Sequence, residues 1–126
     1  MMPGSMIPLR VLIIEDEAII AMLYSEVLTE LGHTTCAIAA TEEEAVSAAS
    51  TYKPDLMLVD MHLHEGSGIG AVTRILASTF IPHIFITGNA IRDQACLPRA
   101  IQLQKPFNEQ QLAKAVTEAM TQASGR

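Results

Sequence analysis

The chain has 126 residues, 49% of them hydrophobic, enough to bury a core of its own and too apolar for a disordered segment. Its net charge is −6, and its eight Lys and Arg residues are scattered without a basic stripe, which argues against direct nucleic-acid binding. No apolar run approaches a membrane span and no signal-peptide pattern follows Met1, so no membrane insertion and a cytoplasmic location are expected. Cys36 and Cys96 stand singly among small or apolar neighbours, the pattern of buried thiols in a reducing compartment and not of a disulfide or metal site.

Residues 1–8, with two prolines and a glycine, read as a tail. Val11 to Ile14 is a short continuous apolar run that stops at Glu15 and Asp16. Ile20, Leu23, Val27, Leu28 and Leu31 recur at helical spacing, with Gly32 placed to end the helix. Thr34, Cys36 and Ile38 alternate with Thr35 and Ala37 as a strand. Thr41 and Glu44 have the spacing of a capping box, opening a helix that Pro54 terminates. Leu56 to Val59 is a second continuous apolar run, ending on Asp60, and 65–68 is a turn. Val72, Ile75, Leu76 and Thr79 mark the inner face of a third helix. Ile84 to Ile86 is a third continuous run, reaching Thr87 and Gly88. The segment 89–98 is weakly helical at best. Ile101 and Leu103 alternate with Gln102 and Gln104 as a last strand before Lys105. Asn108 and Gln111 cap a final helix with Leu112, Ala115, Val116, Ala119 and Met120 inside.

Five strand–helix units in succession predict an α/β domain over 9–122, with 123–126 as a C-terminal tail. Its sheet is parallel, five-stranded and covered by helices on both faces. Strands one, three and four are continuously apolar, as central parallel strands are, whereas two and five alternate, as edge strands do. The order 2-1-3-4-5 follows, the flavodoxin-like arrangement, in which ligands bind outside the carboxyl ends of the strands at the switch point between strands one and three. To that edge the chain delivers Glu15, Asp16, Asp60, Thr87 with Gly88, and Lys105. Three carboxylates that repel one another suit a hard divalent cation such as Mg²⁺. Lysine and threonine beside them suit an anion's oxygens. An aspartate so placed is a candidate phosphoryl acceptor, and Asp60 is best positioned for it.

With those residues in place, the chain resembles the receiver domains of bacterial two-component response regulators. VLIIEDE (11–17), LMLVDMHL (56–63), the 66–68 turn, IFITG (84–88) and QKPF (104–107) carry the resemblance together. It implies that Asp60 is phosphorylated, with Thr87 and Lys105 contacting the phosphoryl group. It also implies Mg²⁺ held by Asp16 and Asp60, by Glu15 largely through water, and by the backbone carbonyl of His62. The Lys105–Pro106 peptide is expected to be cis. The resemblance further implies that His62 and Asn89 stand at positions that often tune phosphoryl lifetime in such domains. The implied function is a phosphoacceptor switch, not a conventional enzyme. It takes its phosphoryl group from a histidine kinase or phosphotransfer protein, signals to a downstream protein, and has no output domain of its own.

The chain departs from the family pattern at three places. Gln102 stands where an aromatic switch residue is usual, His64 where a proline commonly follows the acceptor, and the span from Thr87 to Lys105 is short. With PHIFITGN (82–89), these departures resemble the subgroup named for its Phe-Ala-Thr-Gly strand (the FATGUY receivers), associated with kinases of the HWE or HisKA2 type. Two other readings stay open: a phosphorylation-independent interaction module of receiver-like fold, and an excised receiver of a hybrid kinase or larger regulator. An aspartyl-phosphate phosphatase is a distant third, for want of a cap domain. Elsewhere, the histidines are expected to be solvent-facing or tuning groups, and Glu42–Glu44 a solvated helix start.

Overall fold

A computed structural model describes residues 7–88 and 100–124. Asn89, Cys96 and the 89–98 segment lie outside the described residues. The elements run β1 (Arg10–Ile14), α1 (Ala18–Glu30), β2 (Thr34–Ala39), α2 (Glu42–Tyr52), β3 (Leu56–Asp60), α3 (Gly68–Leu76), β4 (His83–Thr87), β5 (Gln102–Gln104) and α4 (Glu109–Ser124). The sheet is parallel throughout, in the predicted order β2-β1-β3-β4-β5. No helix among the described residues is long and apolar enough to cross a membrane.

The central strands are apolar on both faces because both faces are covered. Val11, Ile13, Leu58, Ile84 and Ile86 pack under Tyr24 and Leu28 of α1 and Leu112 and Val116 of α4. Leu12, Ile14, Met57, Val59 and Phe85 pack on the other side with Ala45 and Ala49 of α2 and Ala71, Val72 and Ile75 of α3. Small residues at the α2 and α3 contacts let those helices lie close to the sheet.

The helix starts are local hydrogen-bond devices. Thr41 Oγ1 accepts from the Glu44 amide at 3.1 Å, and Glu44 Oε1 accepts from the Ala40 amide at 2.8 Å. Asn108 and Gln111 bond reciprocally, each side chain accepting from the other's amide at 2.8 Å. Lys53 closes α2 in the left-handed conformation, φ 47°, just before Pro54.

Three local expectations change. The buried face of α1 is Ala21, Tyr24 and Leu28, and Leu23 is half exposed beside Ile19 and Met22. On β2 the register slips, pairing Val11 with Thr35 but Leu12 with Ala37, so Cys36 is an extra residue and the alternation inverts. Ile38 is therefore exposed, Ala39 buried and Cys36 only partly buried. On α3 the helix stops at Leu76, which leaves Thr79 exposed instead of on an inner face.

Candidate functional site

Parallel strands end at one edge, and the residues just past their ends face one another there. Glu15 follows β1, and its amide donates to the Ala39 carbonyl at 2.9 Å, which fixes the turn into α1. Its side chain is 1% exposed. Oε2 accepts from the Glu17 amide at 3.0 Å, whereas Oε1 is buried and has no hydrogen-bond partner among the described residues. Burial, and then the neighbouring Asp60 and Asp16 carboxyls, push its pKa up to about 8 against the pull of the Glu17 amide.

Asp16 lies beside it and Asp60 ends β3 across the switch point. One carboxylate oxygen from each of the three acids lies within 4.8 Å of the others. Burial alone would raise the Asp16 pKa. The His64 amide, the Glu15 carboxyl and the His64 ring outweigh burial and hold it below the ordinary value. Both His64 contacts converge on Asp16 Oδ2, the amide and Nδ1 each at 2.8 Å.

Asp60 is buried, 7% exposed. The His62 amide donates to its Oδ1 at 3.0 Å, and the Lys105 ammonium stands 3.6 Å from its Oδ2. Thr87 ends β4, fully buried, and its carbonyl accepts from the Lys105 amide at 2.9 Å. The Lys105–Pro106 peptide is cis. Phe107, next along, packs on Tyr24 of α1 with ring centroids 5.5 Å apart, which ties the lysine's turn to the helix that follows Asp16. Burial, with the Glu15 and Asp60 charges adding to it, holds the Tyr24 phenol well above its usual pKa.

The structure thus brings Glu15, Asp16, Asp60, Lys105 and the His62 amide together, with Thr87 at the end of the adjoining strand. The donor set fits Mg²⁺. It consists of oxygens alone, it clusters three acids, and it leaves one buried carboxylate oxygen without a partner among the described residues, which a hard cation would satisfy. Gln102 on β5 is partly buried and pairs with Phe85.

Sequence reasoning missed three features. His64 reaches back to Asp16 although its side chain is 86% exposed. His33 is buried, and its Nδ1 accepts from the Leu9 amide at 3.1 Å. The Glu42–Glu44 run is not simply solvated: Glu42 accepts from the Ser67 amide at 3.1 Å, and Arg74 binds Glu42 and Glu43.

A family model described as the response regulator receiver domain matches residues 11–117. The transcriptional regulatory protein PdtaR of Mycobacterium tuberculosis is 34% identical over 119 residues, covering 91% of this chain and 58% of that protein. The phyllosphere-induced regulator PhyR of Methylorubrum extorquens is 37% identical over 116 residues, covering 88% of this chain and 43% of that one. The crystal structure of the anti-anti-sigma factor PhyR from Bartonella quintana superimposes with a TM-score of 0.88 at 35% identity, over 97% of this chain and 51% of that one. The chain spans about half the length of these relatives.

Proposed function

This chain belongs to the response regulator receiver domain family, and from that premise we propose that it is a Mg²⁺-dependent switch phosphorylated on Asp60. The single observation that carries the proposal is the buried Asp60 carboxylate clustered with two further acids and with the Lys105 ammonium 3.6 Å away. That arrangement sets a nucleophile beside an ammonium and a cluster of acids suited to a divalent cation, at the carboxyl edge of the sheet, and phosphoryl transfer needs such positioning and neutralisation more than covalent chemistry.

In the reaction, an Asp60 carboxylate oxygen attacks phosphorus, the O–P bond forms, and the bond to the donor's imidazole nitrogen breaks. The His62 amide anchors Oδ1 and so fixes the rotation of the carboxylate. Lys105 offsets charge on the phosphoryl oxygens, and the Thr87 hydroxyl binds one of them. Glu15, Asp16, Asp60 and the His62 carbonyl would hold Mg²⁺, which supplies neutralisation of the transferred group.

The donor we propose is a histidine kinase or phosphotransfer protein, with the HWE or HisKA2 type as the specific expectation. Ile19, Met22 and Leu23 support docking of such a protein, since they expose an apolar α1 surface that opens three residues beyond Asp16. Output through a protein partner is supported by the likeness to PhyR. Gln102 in the aromatic position favours the alternative, a module that binds without phosphorylation.

Intact mass after incubation with acetyl phosphate and Mg²⁺ tests the proposal. The wild type is expected to gain about 80 Da, one phosphoryl group on a carboxylate, and Asp60→Asn to gain nothing. If the wild type gains no mass and binds no beryllofluoride with Mg²⁺, the phosphorylation-independent module is the correct reading.

A further inference from the structure

The loop from Met61 to Ser67 carries the His62 amide that anchors Asp60 and the His64 amide that binds Asp16. A loop of this kind at the acceptor must be held at both ends. Its first end is tied to the sheet, where the Met61 amide donates to the Ile86 carbonyl at 3.1 Å. Its far end is Ser67, the N-cap of α3, whose Oγ is already occupied by the Gly70 amide at 2.8 Å. The Ser67 amide, at the N-terminus of α3, has no intrahelical acceptor, and Glu42 Oε1, from the first residue of α2, accepts from it at 3.1 Å.

Glu42 is well placed to act as more than a surface acid. Its side chain is 23% exposed, against 80% for Glu43 next to it. It sits in a slot left by two glycines: a Cβ on Gly66 would stand 2.5 Å from Glu42 Cβ, and one on Gly70 2.5 Å from Glu42 Oε1. The Glu42 amide donates to the Glu65 carbonyl at 3.3 Å, a second bond to the same loop. Arg74, two turns along α3, donates to Glu42 Oε2 at 3.3 Å and to Glu43 Oε2 at 2.6 Å, so the carboxylate is held from behind. Ser67 in turn forms an antiparallel bridge with His62, and the Gly68 amide donates to the Met61 carbonyl at 3.1 Å. A chain of contacts runs from Arg74 through Glu42 and Ser67 to the His62 backbone.

We propose that Glu42, braced by Arg74, is a positioning residue for the phosphoacceptor loop, fixing its Ser67 end and thereby the placement of the His62 and His64 backbone at the acid cluster. The inference rests on the proposed Mg²⁺-dependent acceptor role of Asp60. Groups that orient metal ligands from behind influence affinity even though they never touch the ion. The charge of Glu42 at the start of α2 would also favour that helix through its dipole, an effect confined to stability. The two roles separate by substitution, because glutamine keeps a carbonyl acceptor for the Ser67 amide and loses the charge.

The test uses amide-resolved NMR on the whole chain, with MgCl₂ titrated into wild type, Glu42→Ala, Glu42→Gln and Arg74→Ala well below their melting temperatures. Amide exchange of Ser67 and His62 is followed in the metal-free proteins. Glu42→Ala is expected to weaken Mg²⁺ about tenfold, in the range for residues that orient metal ligands, and to speed Ser67 exchange. Glu42→Gln is expected to restore both to within about threefold, as a retained hydrogen bond predicts. Should Glu42→Ala not fold, Arg74→Ala decides, since it leaves the carboxylate in place without its brace: faster Ser67 exchange and weaker Mg²⁺ binding support the proposal. Wild-type Mg²⁺ binding that Glu42→Ala (or Arg74→Ala in its stead) leaves within twofold overturns the positioning role alone. No Mg²⁺ binding by the wild type overturns the metal reading, and the positioning role with it.

Discussion

Gly68 is the tightest backbone contact at the site, and its replacement by alanine isolates the cost of that contact. A Cβ at this position would lie 2.8 Å from Val59 Cγ1 and 2.9 Å from the Asp60 carbonyl carbon, with the Asp60 oxygen closer still. Carbon atoms pack at about 3.5 Å or more, so α3 would have to withdraw from β3 by roughly 0.7 Å at Val59 alone. The obstacle is largely backbone, which no rotamer change relieves. Overpacking of this kind costs about 1–3 kcal/mol. The 3.1 Å bond from the Gly68 amide to the Met61 carbonyl is strained by the same movement, at about 1 kcal/mol. Against this, alanine in a helix gains at most about 1 kcal/mol over glycine. The clash wins, and the net expectation is a loss of about 1–3 kcal/mol, or roughly 4–12 °C in Tm for a domain of this size. Gly88→Ala is the control, because nothing among the described residues beyond its chain neighbours lies within 4 Å of an added Cβ; it is expected to stay within about 0.5 kcal/mol of wild type. Urea denaturation of the three proteins gives the comparison. A Gly68→Ala midpoint at or above wild type would refute the steric account.

Thr41→Ala removes the acceptor for the Glu44 amide and is expected to cost about 1 kcal/mol. An unchanged urea midpoint would show that the cap contributes nothing. In the metal-free protein burial holds Glu15 near 8, so Mg²⁺ must displace a proton at neutral pH. Its dissociation constant should therefore fall as pH rises from 6 toward 8, by up to about tenfold per unit. Glu15→Gln should flatten the profile measured by calorimetric titration, and a flat wild-type profile would contradict the displaced proton. Burial lowers the pKa of His33 below its ordinary 6.5, and the neutral ring accepts from the Leu9 amide. Its contribution is present above pH 6.5 and is lost as pH falls through the lowered folded value. The stability gap between wild type and His33→Ala, read by urea denaturation, should shrink from pH 7.5 to pH 5. A gap independent of pH would remove His33 from the account.

The strand order, and which residues share the carboxyl edge of the sheet, were legible in the residues alone. Continuous apolar runs at 11–14, 56–59 and 84–86 require cover on both faces, which makes them central, and the strand ends then deliver Glu15, Asp16, Asp60, Thr87 and Lys105 to one edge. The capping boxes at Thr41 and Asn108 were also legible, because donor and acceptor lie three residues apart. Tertiary structure decided what depends on distant partners. Helix α1 carries Ile19, Ile20, Met22, Leu23, Val27 and Leu28, so nearly every face looks apolar, and only packing on the sheet turned Tyr24 inward and Leu23 outward. The extra residue in β2 inverted its alternation, which is a property of its pairing with β1 and not of its composition. His64 found Asp16 across 48 residues, and Glu42 found Ser67 across 25. Periodicity reports neighbours within one or two turns, whereas a hydrogen bond between a loop and a helix start exists only after the sheet has brought them together.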